Sequence, residues 1–354
     1  MRLVTYSAHG RARVGAWIDD DRMIVDLAAS AEPRAGAEDL RFASMQALIE
    51  AGPEALDVAR AIVEAPGEFV VETQTVQLLA PLPRPVQFRD FLAFPDHLAG
   101  CNATLVELAA LAAPDPDGVR AGAAAAGKLD TPKEFFLAPF YYNCNALTVV
   151  GPDAPIHWPA YSHFIDYELE MAAVIGTAGA QIKAADARSH IFGYTIFNDW
   201  SARDEQVRAM EAGPLGGPLP AKDFASTLGP CIVTADEFDD PYALEMTAYL
   251  NGERVGGGRS GSMHYRFETL IEYLTRGHAV CPGEVLGSGT VGTGCSLENR
   301  RLVRPGDTVE LRIEGIGALR NQVLAPHLED TLPDAFFPAL GAAIARARQG
   351  AGAA

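Results

Sequence analysis

The chain has 354 residues, 48% of them hydrophobic, and a formal net charge of −18. That length is enough to bury a substantial core, in one large domain with a smaller one beside it. The charge repels polyanions, which argues against nucleic acid and anionic membrane as partners, and no basic cluster reverses it locally, so a small molecule is the expected ligand.

No stretch approaches the roughly 18–20 apolar residues of a membrane span, and Met1–Tyr6 lacks the apolar core of a signal peptide, so a cytoplasmic protein is expected. The five cysteines, Cys101, Cys144, Cys231, Cys281 and Cys295, are odd in number, scattered and without a C-x-x-C pair. Neither a disulfide framework nor a thiolate metal site is therefore expected, and most read as small buried hydrophobes.

In chain order, Leu3–Tyr6, Ala16–Ile18 and Met23–Leu27 read as short strands separated by Gly and Asp turns. Residues 36–65 carry Leu40, Met45, Leu48, Ile49, Leu56 and Ile62 at helical spacing, and residues 70–79 return to strand character. The prolines at 81, 83 and 85 stiffen a boundary, because each fixes its φ and removes a donor. A small β-rich N-terminal domain over 1–80 and a catalytic domain over 81–354 follow from this. The Ala/Gly/Pro-rich segment Ala109–Asp130 reads as a mobile excursion, a lid rooted near Asp90 and His97. Strand-like Phe140–Tyr142 and Leu147–Val150 come next.

The run from His163 to Gly176 carries Asp166, Glu168 and Glu170 at every second position, with Tyr167, Leu169 and Met171 between them. On a strand this puts the carboxylates on one face and the apolar side chains on the other. Same-face neighbours lie about 7 Å apart and repel by roughly 2–3 kcal/mol at an effective dielectric of about 20. Something positive is needed between them, and oxygen donors suit a hard cation such as Mg²⁺, Mn²⁺ or Ca²⁺. The continuation Ala172–Ile175 is apolar on both faces, as in a strand entering a core.

Further on, Ile191–Phe197 is strand-like, and Ser201 with Glu205 beyond it starts a helix, which leaves Asp199 at a strand-to-helix corner. Gly213–Pro220 reads as a loop carrying Lys222. Asn251-Gly252 reads as a hairpin turn. Gly287–Gly292 has the G-x-G-x-x-G spacing, yet a turn and then strand Thr308–Ile313 follow instead of a helix, so a dinucleotide site is rejected. Its glycines instead let backbone amides approach a ligand. Phe336–Arg348 has helical spacing.

Taken together, Asp90 with His97, Tyr142, Asp166–Glu170, Asn198–Asp204, Lys222, Gly289-Thr290, Pro305–Asp307 and Glu314–Gly317 resemble the fumarylacetoacetate hydrolase family over roughly residues 80–325. The resemblance implies a mixed, mainly β fold, with a β-roll-like catalytic domain and a smaller β-rich N-terminal domain, usually dimeric. It implies a divalent ion, Mg²⁺ or Mn²⁺, on Asp90, Glu168, Glu170 and Asp199. It also implies His97 as general base with Glu298 orienting it, Lys222 neutralising developing charge, and Tyr142, Gln206, Lys222 and Thr290 touching substrate. Leu92 stands where the eponymous hydrolase has a substrate-contacting tyrosine, and Leu98–Leu108 contains no arginine where one is expected. The implied activity is hydrolysis of a C–C bond in a β-diketo acid of the kind met in aromatic catabolism. The alternatives are a 2-oxo acid decarboxylase or hydratase using the same metal, or a non-catalytic metal-dependent binder of 2-oxo acids.

Overall fold

The computed structural model describes residues 1–36, 39–211 and 220–325. Most of the loop read at Gly213–Pro220 and the helix read at Phe336–Arg348 lie outside them.

The fold is mixed and mainly β. Arg2–Ala8, Arg11–Ile18 and Met23–Asp26 pair antiparallel in succession. Asp26 then caps a helix over Leu27–Ala35, its carboxylate accepting from the Ala29 N–H at 2.8 Å. The helical spacing read over 36–65 becomes Met45–Glu64, capped by Ser44 and kinked where Gly52 takes φ 69° before Pro53. Its buried face, including Leu48, Ile49 and Ile62, packs on Leu3, Phe88, Val174 and Phe197 of the main sheet. Each such aliphatic side chain contributes about 1.5–3 kcal/mol by leaving water.

Twelve strands form that sheet among the described residues. Its main path runs Val70–Glu72, Met23–Asp26, Arg11–Ile18, Arg2–Ala8, Ser226–Thr234, Ile191–Asn198, Leu169–Ile175, Glu284–Gly287, Gln87–Phe91, Tyr141–Asn143. The sheet thus runs through both sides of the Pro81–Pro85 link, with Arg2 and Leu3 paired to Val233 and Ile232. A second, five-stranded sheet holds the hairpin Glu245–Leu250/Glu253–Arg259. Asn251 and Gly252 turn it at φ 52° and 83°, the doubly positive pair of a type I′ turn. Between the sheets lies the larger core, with Leu169, Met171, Tyr194, Leu311 and Leu319.

The segment read as a mobile excursion is instead largely helical. Pro95–Ala112 runs through its beginning and Pro116–Ala125 follows. Proline opens each helix, where no N–H is needed, Asp115 caps the second, and the alanines that look like linker composition are strong helix formers. Arg120 binds both oxygens of Glu107 across the pair. Among the described residues no helix is long and apolar enough to cross a membrane.

Candidate active site

The acidic strand forms in two pieces, Ile165–Asp166 and Leu169–Ile175, and its carboxylates are buried rather than solvated: Asp166 0%, Glu168 3% and Glu170 0% exposed. The apolar alternates Tyr167, Leu169 and Met171 fill the larger core, as period two demands.

Pairing in the main sheet gathers the remaining groups. Ala172 is opposite Gly287, Gly287 opposite Asp90, and Asp90 opposite Tyr142. Glu170, two residues before Ala172, leans over the same row. Gly287 has no side chain to fill the space, and a Cβ there would stand 2.4 Å from Asp90 Oδ1 and 3.1 Å from Glu170 Oε2. The two carboxylates meet over that gap. Asp199 arrives from the end of Ile191–Asn198, and the three can each offer one oxygen within 4.8 Å of the others. The Gly289 N–H, in a left-handed turn at φ 78°, donates to Asp90 (3.2 Å) and to Glu170 (2.9 Å). Thr290 donates to Glu170 at 3.3 Å.

Glu168 stands beside this trio and is held by cations. Lys222 bridges Glu168 and Asp199, while Arg203 reaches Glu168 at 2.8 Å and Asp166 at 2.8 Å. Asp166 also accepts the Ser296 and Leu297 N–H groups, at 2.8 and 3.1 Å, and so ties Arg203 to the turn that carries Glu298. The Tyr142 hydroxyl donates to both Asp199 oxygens at 2.7 Å. Gln206 accepts from Arg203 at 2.9 Å.

Electrostatics follow from this crowding. Burial, with neighbouring carboxylates, pushes Asp90 up to about 6 and Asp199 up to about 8, although Lys222 pulls against both, and it holds Glu170 well above the carboxylate range. Glu168 is lowered despite its burial, because Arg203 and Lys222 face it. Five buried carboxylates (Asp90, Asp166, Glu168, Glu170, Asp199) thus answer to two buried cations, Lys222 and Arg203. A divalent cation would close most of that deficit, and an all-oxygen trio at this spacing suits a hard one.

His97 lies in the first turn of Pro95–Ala112, with Nδ1 2.9 Å from Glu298 Oε2 and Nε2 3.5 Å from Glu168 Oε1. The Thr293 N–H fixes Glu298 at 2.9 Å. Burial lowers the imidazole's proton affinity, but contacts with Cys295, Glu168 and Glu298 outweigh it and raise the pKa. His97, Lys222, Thr290, Tyr142 and Gln206 all border one cavity of about 390 Å³, with Leu92, Leu98, Leu105 and Phe140 along its apolar wall.

The structure therefore places every residue named for the site within one network. Asp166, read on the acidic strand with Glu168 and Glu170, pairs with Arg203 instead of joining the trio, and Arg203, within the Asn198–Asp204 stretch, carries no role in the sequence reading. Gly287, read as one of the Gly287–Gly292 glycines that let backbone amides approach a ligand, instead leaves room for the Asp90 and Glu170 carboxylates. Reading by motif overlooked Cys101 and Cys295 beside His97, since nothing in their spacing marks them.

Residues 115–324 match the family model described as fumarylacetoacetate (FAA) hydrolase C-terminal. An oxaloacetate tautomerase of Xenopus laevis, named as mitochondrial, is 29% identical over 328 residues, 92% of this chain and 90% of that protein. An oxaloacetate tautomerase of Bacillus subtilis is 28% identical over 334 residues, 91% of this chain and 100% of that protein. Among solved structures, a fumarylacetoacetate hydrolase of Exiguobacterium antarcticum superposes with a TM-score of 0.68 at 27% identity, covering 92% of this chain and 99% of that one.

Proposed function

This chain belongs to the fumarylacetoacetate hydrolase family, and from that premise we propose that it is a Mg²⁺- or Mn²⁺-dependent tautomerase interconverting the keto and enol forms of an oxaloacetate-like 2-oxo acid. The observation that carries the reading is one proton carrier, His97 on Glu298, at the edge of the buried carboxylate trio and on the same cavity. Asp90, Glu170 and Asp199 hold the ion, with Glu168 beside them as the fourth carboxylate. The ion, when bound, supplies Lewis acidity to a chelated 2-oxo acid, worth several kcal/mol.

The chain's own groups do the rest. His97 moves the proton between the carbon next to the keto group and the keto oxygen, taking it from one and delivering it to the other in either direction, while Glu298 fixes the ring and balances its charge. Lys222 offsets negative charge beside Asp199 and Glu168. Leu92, Leu98, Leu105 and Phe140 keep that side of the cavity apolar, which strengthens every charge interaction inside. Tautomerisation needs only this one carrier. Hydrolysis also needs a positioned water and a hold on the departing acyl group, and that wall brings no charged side chain to one. The two tautomerases matched over nine-tenths of this chain support the same choice.

A second reading, C–C hydrolysis of an acylpyruvate-like diketo acid, is favoured by the cavity of about 390 Å³, which has room for an apolar acyl group beyond a small dicarboxylic acid. Both readings share the enolate step. Following the ultraviolet absorption of enol-oxaloacetate and of acetylpyruvate, each with Mg²⁺ and with EDTA, decides between them. We expect enol-oxaloacetate to relax faster only with the metal and acetylpyruvate to persist. Cleavage of acetylpyruvate without any effect on enol-oxaloacetate would overturn the tautomerase reading, and release of pyruvate from oxaloacetate would replace it with decarboxylation.

Gly287→Ala tests how the trio is held. The added methyl group cannot coexist with Asp90 and Glu170 in their present positions. The variant is expected to stay folded by circular dichroism but to retain less than a tenth of the wild-type metal, by the roughly 10–100-fold loss of affinity typical of misplaced ligand support. A full complement of metal would show that the gap over Gly287 is not what brings the carboxylates together.

A further inference from the structure

Four side chains around the proton carrier make up a second donor set of a different kind. His97, Cys101, Cys295 and Glu298 each offer one atom within 4.8 Å of the others. They come as two pairs from two elements. Cys101 follows His97 by four residues, one turn along Pro95–Ala112, and so shares its face. Cys295 sits immediately before the short helix Ser296–Asn299, with Glu298 three residues on. The Cys295 thiol donates to Glu298 Oε2 at 3.3 Å, and the Cys101 sulfur lies 3.7 Å from His97 Nδ1. His97 and Cys295 are buried, while Cys101 and Glu298 are half-buried, and Cys101 borders the cavity, which gives an ion a way in.

Two sulfurs, one imidazole nitrogen and one carboxylate oxygen are a four-coordinate set for a borderline-soft ion, in contrast to the all-oxygen trio nearby, which suits a hard one. Tetrahedral zinc with bonds of about 2.0–2.3 Å separates its ligand atoms by roughly 3.3–3.8 Å, and separations of 2.9 Å for His97 and Glu298, 3.3 Å for Cys295 and Glu298 and 3.7 Å for Cys101 and His97 bracket that spacing, so small shifts suffice. Charge also fits. With His97 neutral, the two thiolates and Glu298 carry three negative charges, zinc cancels two, and the buried Arg203 guanidinium lies near enough to both sulfurs to feel their charge. The Thr293 N–H already holds the second oxygen of Glu298.

We propose that His97, Cys101, Cys295 and Glu298 form a thiolate-containing zinc site, and that Zn²⁺ bound there switches the enzyme off by taking His97 Nδ1 and Glu298 from the proton relay. This goes against the sequence expectation of no thiolate site, because two thiols far apart in the chain converge only through the fold. Binding releases both thiol protons, with no change of oxidation state. The existence of the site rests on this geometry alone, whereas the switching-off rests also on the proposed role of His97.

Cobalt(II) is a spectroscopic stand-in for zinc. The full-length protein, kept reduced and with its oxygen site filled by excess Mg²⁺, is titrated with one equivalent of Co²⁺. Sulfur-to-cobalt charge-transfer absorption and four-coordinate visible bands are expected, abolished by one equivalent of Zn²⁺ and absent from Cys295→Ser. In Cys101→Ser, altered at the half-buried position and therefore the safer variant for folding, the zinc concentration that halves turnover should rise about 10–100-fold. No sulfur–cobalt absorption in the wild type, or absorption that persists in both variants, would overturn the site. The absorption present with turnover untouched by zinc would overturn the switching-off. If the activity reading itself were wrong, the cobalt spectrum would stand while neither oxaloacetate nor acetylpyruvate turned over.

Discussion

Glu170→Ala is expected to lose the metal and the activity together. Glu170 is 0% exposed, shares the Gly287 gap with Asp90, and belongs to the trio with Asp199. Removing it leaves two of the three grouped oxygens, too few to displace water from a hard cation that asks for several oxygen ligands. Turnover should fall to the level of the metal-stripped wild type. The substitution also removes a carboxylate that is costly to ionise where it stands, since burial and then the neighbouring Asp90, Asp199 and Glu168 hold Glu170 well above the carboxylate range. The variant without metal should therefore melt no lower than the metal-free wild type. The wild type alone should gain stability on adding Mn²⁺, about 2.7 kcal/mol at a hundred times its Kd. A variant that melts higher with Mn²⁺, as the wild type does, would show that Glu170 does not hold the ion.

His97→Ala separates proton transfer from metal binding. The imidazole touches Glu168 at 3.5 Å and Glu298 at 2.9 Å but is not one of the three grouped carboxylates. A positioned acid–base residue contributes roughly 10²–10⁴-fold to the rate, so turnover should drop by about that factor with little change in KM. Oxalate, which resembles the chelating end of a 2-oxo acid, should still bind the metal-loaded variant in calorimetry. An unchanged rate would move the proton-carrying role to another residue on the cavity.

How far the sequence could be read depended on whether a pattern was local. Asp166, Glu168 and Glu170 announce a two-faced strand because period two is visible within a few residues, and the apolar run Ala172–Ile175 beyond them points to the core that strand enters. Asn251-Gly252 announces its turn for the same reason. The helical content of Ala109–Asp130 is not legible because alanine, glycine and proline together look like linker, although Pro116 opens the second helix there. The different company of Glu168 and Glu170 was not legible. One faces Lys222 and Arg203, the other Asp90, and that depends on which strands and loops the sheet places beside them. Gly287 matters only through its pairing with Asp90 and Ala172 from distant parts of the chain. Membership of the family carried the names of the residues, and the fold alone gives the distances between them.

Elemental analysis of Glu170→Ala and His97→Ala, both dialysed from the same Mn²⁺ buffer beside the wild type, tests most directly that the buried carboxylates hold the ion while the histidine moves the proton. The expected result is a full complement of metal in wild type and His97→Ala and none in Glu170→Ala. A metal-free His97→Ala, or a Glu170→Ala that stays fully loaded, would contradict that division of roles.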